Sequence, residues 1–287
     1  MWRDYRPNLG RWLLEVILYG IFIFNLFFIG GWPIICGYWI RYVIAIAFFI
    51  AALKSFKNVK RNFVFKRLSL KHASLCVLGI SLGALFAWEL LSSINGTYRP
   101  PHSVSLSFPL KEGEFYILHG GSNETINHHC VVSAQKYALD ILQLNRYGLR
   151  SNNLIPKKLN DFKIYGTNIY SPCDGLVIEA SDHHPDLELG SEDPDHPAGN
   201  YLAIAKKESD IIVILAHLMP NSLTVKKGDI VQEGQLLGKV GNTGNTSEPH
   251  LHLHAVLNNT GDPLFTGQGV PMTFNNRFLV RNDLVSD

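Results

Sequence analysis

Residues 250–254 read His-Leu-His-Leu-His. Successive side chains of a strand point to opposite faces. His250, His252 and His254 then share one face, with Leu251, Leu253 and Val256 assigned to the other. A Leu face suits a core, which leaves the His face to line a groove. Two imidazoles one strand-step apart can bind a metal ion and act beside it. Further candidates lie upstream in Asn127-His128-His129, in Asp140 and in Ala216-His217. Hydrolytic zinc takes about three His or carboxylate ligands and keeps an open position for water. An imidazole beside it can move a proton or hold a developing oxyanion. The chain supplies all of these parts; a solvated, His-rich edge strand is the alternative. The HExxH and CxxC patterns are absent from the sequence, which removes the usual helical-zincin and Cys-rich zinc readings. The GxSxG match at Gly79–Gly83 falls inside an apolar run, which makes a serine-hydrolase reading weak.

The elements that would position these residues are short. After residue 113 the chain breaks into apolar alternations separated by Gly, Pro, Asn and Asp, at 115–118, 137–142, 175–180, 201–205, 211–218 and 236–240. These are strand signals, and residues 113–287 are expected to form an all-β domain. Val225–Gly238 carries two Gly-centred turns with apolar positions between, the pattern of a short hairpin. Residues 96–112, with Gly96 and three prolines, read as a linker. Residues 182–199 hold six acids and three prolines. They read as an exposed loop, or as an acidic groove wall that attracts an amine-bearing substrate or a second cation. His102, His183, His184 and His196 read as loop residues. Cys130 and Cys173 could pair in an oxidising compartment, but spacing alone does not fix the geometry.

Several stretches together resemble the lysostaphin-type zinc endopeptidases. They are Pro249-His250-Leu-His252 with the preceding Gly-Asn-Thr-Gly, Ala216-His217-Leu, Ser171-Pro-Cys-Asp-Gly175 and Gly199-Asn200-Tyr. The resemblance covers about residues 113–260. It implies a small β-sheet groove enzyme that binds Zn2+ and cuts peptide bonds of bacterial peptidoglycan. It also implies that His252 and Asp140 are metal ligands and that His217 and His250 are catalytic. One position departs from the family pattern: the usual His four residues before the Asp is Lys136 here. A charged ammonium cannot replace it, so His129 is the favoured third ligand, with His128 next and His119 an outsider. If none of them reaches Asp140, the domain would be a non-catalytic peptidoglycan-binding or regulatory module with a degenerate metal site.

The first third of the chain is a different polymer. Residues 1–97 hold 11 Lys and Arg against 3 Asp and Glu, whereas the remainder holds 15 against 21. Apolar runs at 12–29, 32–53 and 73–94 match bilayer-spanning helices of ~20 residues, so residues 1–95 are expected to form a three-helix transmembrane region. Arg41 falls inside the second run, where charge is costly. Lys54, Lys57, Lys60, Arg61, Lys66, Arg67 and Lys71 crowd the loop after it, undiluted by acid. The positive-inside rule makes that loop and the amino terminus cytoplasmic, and places the β domain outside the cytoplasmic membrane. The helices explain the basic loop without a nucleic-acid partner, and they leave room for a membrane-protein partner.

Overall fold

A computed structural model describes residues 8–59, 70–257, 262 and 264–286. Contacts divide the chain into two units. The first holds residues up to Trp32 together with Trp39–Ile94; the second holds Pro33–Tyr38 and Asn95–Asp287.

The first unit is helical. Helix α1 spans Leu9–Ile29, α3 Ile40–Phe56 and α4 Leu70–Gly96, while most of the short α2, Trp32–Ile35, belongs to the second unit. The Asn8 side chain caps α1 by accepting from the Arg11 amide. Among the described residues, two helices are long and apolar enough to cross a bilayer, α1 and the Val77–Gly96 portion of α4. The run 32–53, expected as one span, is instead divided. Gly37 takes φ +100°, a conformation that L side chains resist, and the chain turns there before α3 starts. The break moves Arg41 from mid-span to the first turn of α3. Its guanidinium lies 4.6 Å from the Phe27 ring centroid and donates to the Tyr42 hydroxyl. Inside this unit Asn25 donates to Glu89 at 2.9 Å, a polar link between α1 and α4 of the kind that joins helices in lipid. Lys60, Arg61, Lys66 and Arg67 of the basic loop lie outside the described residues.

The second unit is built on strands. They are β1 Val104–Leu106, β2 Glu114–His119, β3 Leu139–Leu144, β4 Asn168–Tyr170, β5 Gly175–Ser181, β6 Tyr201–Lys206, β7 Ile211–Ala216, β8 Ile230–Val231, β9 Leu236–Lys239, β10 Leu251–Leu257, β11 Met272–Phe274, β12 Arg277–Phe278 and β13 Leu284–Ser286. The main sheet runs β13-β2-β3-β10-β7-β6-β5-β8, and its neighbours pair antiparallel. The all-β expectation holds for this unit, with two local differences. Residues 96–112 are more than a linker: they contain β1, which pairs with β11 and buries Val104 and Leu106 in the core. The stretch 225–238 is not a hairpin either, because β8 pairs with β5 and β9 with β4.

Strand β10 lies near the middle of the sheet, and both its faces are covered. Leu251, Leu253 and Ala255 enter the larger core with Ile141, Val213 and Leu215. Burying each such Leu contributes ~1.5–3 kcal/mol, so the register of β10 is strongly fixed. A one-residue slip would exchange the Leu and His faces. Val256 belongs with the His residues, not with the Leu residues: it packs with Ile212, Ile214 and Leu264 in a second cluster.

Candidate active site

Strand register assembles the site. On one side of β10, His252 sits opposite Asp140 of β3. On the other side it sits opposite Ala216 of β7, and the next residue is His217. The loop before β10 supplies His250. Asp140, His252 and His217 are buried.

The third donor arrives by a fold-back. A 3-10 turn at His128–Val131 follows Asn127, whose Oδ1 accepts from the His129 amide. The Asn127 Nδ2 donates to the Gly121 and Ala138 carbonyls, which pins the loop over the start of β3. His129 Nε2 then lies 2.9 Å from Asp140 Oδ2, and His252 Nδ1 lies 3.0 Å from Asp140 Oδ1. One ligand atom from each of the three lies within 4.8 Å of the others. Lys136 is exposed, with its ammonium 5.6 Å from the Tyr137 ring centroid. A second donor set shares Asp140 with His119 and His128. A β-bulge beyond Ile117 places His119 opposite Asp140, and the His119 and His128 rings meet at 4.0 Å.

The helper imidazoles have defined tautomers. His217 Nδ1 lies 2.8 Å from the Thr243 carbonyl, and His250 Nδ1 lies 2.9 Å from the Glu248 carbonyl. A carbonyl only accepts, so each Nδ1 carries the proton and each Nε2 is left as a base. His250 Nε2 is 3.5 Å from Asp140 Oδ1, and the His217 and His250 rings are 4.7 Å apart. His217 adopts φ +64°, a sparsely populated conformation of the kind that gathers at functional sites.

Electrostatics sort the groups. Burial, followed by the nearby His250 and His252, holds the His217 pKa well below the ordinary imidazole range. Burial likewise pushes His252 down to about 3. Burial alone would raise Asp140, but His129 and His250, with hydrogen bonds from His129 and His252, hold it well below the usual carboxylate range. For His129 the pull of Asp140 overcomes burial, and its pKa rises. Neutral imidazole and ionised carboxylate are the forms a zinc ion binds. The Asp140 carboxylate that raises His129 makes this a place where positive charge is favoured. The donor set therefore fits a divalent zinc-class ion.

Several contributors have no local sequence signal. His254, placed by the alternation on the groove-lining face, is buried, and its Nδ1 lies 3.0 Å from His252 Nε2. Such contacts orient metal-binding imidazoles. Arg150 Nε donates to both carboxylate oxygens of Glu248, at 2.8 and 2.9 Å. Its Nη1 donates to the Ile34 carbonyl at 2.9 Å. The small residues of the 241–249 stretch have a steric reason: a Cβ at Gly244, φ +85°, would stand 2.4 Å from the Gly199 nitrogen. Cys130 and Cys173 are separate free thiols, Cys173 in the core and Cys130 bonded to the Lys136 carbonyl.

A cavity of about 250 Å3 opens over this centre, lined by His129, His217, His252, His254, Pro197 and Leu264 among others. The sequence profile of Peptidase family M23 matches residues 158–264. The matched stretch includes His217, His250 and His252 and stops short of His129 and Asp140. Among curated proteins the chain is similar to two from Vibrio cholerae named as peptidoglycan DD-endopeptidases. It is 29% identical to ShyB over 155 residues, 53% of this chain and 33% of that protein. It is 26% identical to ShyA over 148 residues, 51% of this chain and 31% of that protein. Each match thus spans about a third of the relative's length. Among solved structures, a zinc-containing peptidase from Vibrio cholerae is 22% identical with a TM-score of 0.34, covering 54% of this chain and 38% of that one. The solution structure of lysostaphin is 21% identical with a TM-score of 0.29, covering 46% and 40%.

Proposed function

We propose that the protein is a membrane-anchored zinc endopeptidase that hydrolyses peptide bonds of peptidoglycan outside the cytoplasmic membrane. The observation that carries this is the convergence of Asp140 with His129 and His252 beside two imidazoles whose free atom is Nε2. The substrate class is taken from the names of the curated relatives.

In this reading His129, Asp140 and His252 hold the ion, and His254 orients His252. Zinc bound there supplies a water whose pKa falls toward ~7 and a Lewis acid for the scissile carbonyl. His217 and His250 do the remaining work through Nε2. One accepts the proton released as the water oxygen bonds to the carbonyl carbon. The other, entering the step as an imidazolium with a second proton on Nε2, donates to the oxygen that gains charge as the carbonyl π bond opens. When the C–N bond breaks, the held proton passes to the leaving amine. The Thr243 and Glu248 carbonyls fix both rings, so neither has to reorient. The buried walls keep competing water away and strengthen each of these interactions.

The anchor reading assigns crossings to α1, α3 and α4, with the amino terminus and the basic loop inside. Helix α3 has 17 residues and a length of ~26 Å, short of the ~30 Å hydrocarbon core but within the range that spans it.

The test is zinc content and hydrolysis measured on the same full-length preparation. The expected result is bound zinc and cleavage of cross-linked peptidoglycan peptides, both lost in Asp140→Ala and in His252→Ala. A folded protein that binds peptidoglycan but holds no metal and cuts nothing would instead make the domain a binding module.

A further inference from the structure

The loop between β5 and β6 gathers a second set of metal-ligating side chains. One ligand atom each from His184, Asp193 and His196 lies within 4.8 Å of the others. His196 Nδ1 stands 3.1 Å from Asp193 Oδ2. That is near the ~3.3 Å edge of a tetrahedron built on zinc–ligand bonds of ~2.0–2.1 Å. The His184 and His196 rings are 4.6 Å apart, and the His183 ring lies 4.3 Å from that of His184.

Contacts that use none of the three imidazoles or the free carboxylate oxygen hold this arrangement. The buried Asn200 side chain accepts from the His184 amide and donates to the His184 carbonyl, both at 2.8 Å. Asp193 Oδ1 accepts from the amides of Asp195 and His196, which leaves Oδ2 to face the ring. The Asp193 amide donates to the Gly244 carbonyl. Two imidazoles and a carboxylate are the donor mixture that zinc and its neighbours in the first transition row accept.

We propose that His184, Asp193 and His196 form a second metal site, which takes a divalent zinc-class ion with solvent completing the tetrahedron and clamps the β5–β6 loop. Its position gives the clamp a consequence for the groove. The same loop carries Pro197 and Ala198, which line the cavity. The Asn245 amide donates to the Pro197 carbonyl and the His217 amide donates to the Ala198 carbonyl. An ion at the site fixes the wall that holds the His217 backbone. The assignment is independent of whether the groove centre holds zinc.

The test uses the full chain in detergent, stripped with a chelator, dialysed against zinc and assayed for metal by mass spectrometry. Wild type is expected to hold about two equivalents per chain, and His184→Ala/His196→Ala and Asp140→Ala/His252→Ala about one each. In the Asp140→Ala/His252→Ala protein, zinc is expected to slow proteolytic cleavage within residues 182–199, and adding Asp193→Asn is expected to abolish that protection. His196 is exposed, so its variants should fold, which an unchanged circular dichroism spectrum checks. A single equivalent lost with His184 and His196 would support this site and contradict the groove reading. A single equivalent lost only with Asp140 and His252 would overturn this site and leave the groove reading intact. Unchanged metal content in His184→Ala/His196→Ala would also overturn it.

Discussion

His217 and His250 present the same atom by the same device, a backbone carbonyl that takes the Nδ1 proton. A role in proton transfer predicts that His217→Ala keeps its zinc while kcat falls ~10²–10⁴-fold. Turnover and metal content measured together would check this, and loss of metal would point to a ligand role. His129 and His128 are adjacent in sequence and differ in what they reach. His129→Ala is expected to lose the groove zinc, whereas His128→Ala keeps it; the reverse result would move the site to the set with His119. The sequence pointed to His252 and Asp140 through the resemblance to the lysostaphin-type motifs, and the His-Leu alternation added only that His250, His252 and His254 share a face. It left His129 and His128 open, because only the Asn127-capped fold-back decides which ring meets Asp140. The role of His254 was hidden for a related reason: strand parity places it on the His face but says nothing of its contact with His252.

Loops and strands divide the work of positioning. The register of β3, β10 and β7 fixes Asp140 and His252, and the 241–249 stretch fixes His217 and His250. Arg150 is the support of that stretch least visible in the sequence. Its partner Glu248 is 98 positions away, and pairings of that span leave no local pattern. The pair is largely buried, with side-chain exposures of 10% and 15%. Removing one partner of such a pair costs about 3–5 kcal/mol, so Arg150→Met is expected to lower stability by that order. Adding Glu248→Gln should restore part of the loss, as a thermal double-mutant cycle would measure. Additive effects would show that the pair is not coupled. Gly244→Ala should also destabilise, by about 1–3 kcal/mol, since a side chain there meets Gly199. A melting temperature equal to wild type would refute that. At this scale strand existence was largely legible from alternation. Partners were not, which is why β1 was read as linker and β8 with β9 as a hairpin.

The molecule as a whole joins a basic helical third to an acidic β portion. Apolar runs announced the helices, but a run cannot show where Gly37 turns the chain, so the second run was read as one span. The division leaves Cys36 exposed between α1 and α3. The proposed topology of three crossings would put Cys36 outside the cytoplasmic membrane. A membrane-impermeant thiol reagent is expected to label intact cells carrying the protein more strongly than cells carrying Cys36→Ser. Equal labelling of the two, with Cys36 reacting only after lysis, would reverse the topology.

The most direct test of the central claim is anomalous diffraction at the zinc edge from crystals of the active, zinc-loaded protein. The account predicts a peak in the groove within ~2.0–2.2 Å of His129 Nε2, an Asp140 oxygen and His252 Nδ1. A peak held by His119 and His128 away from His252, or an active protein with no peak in the groove, would contradict it.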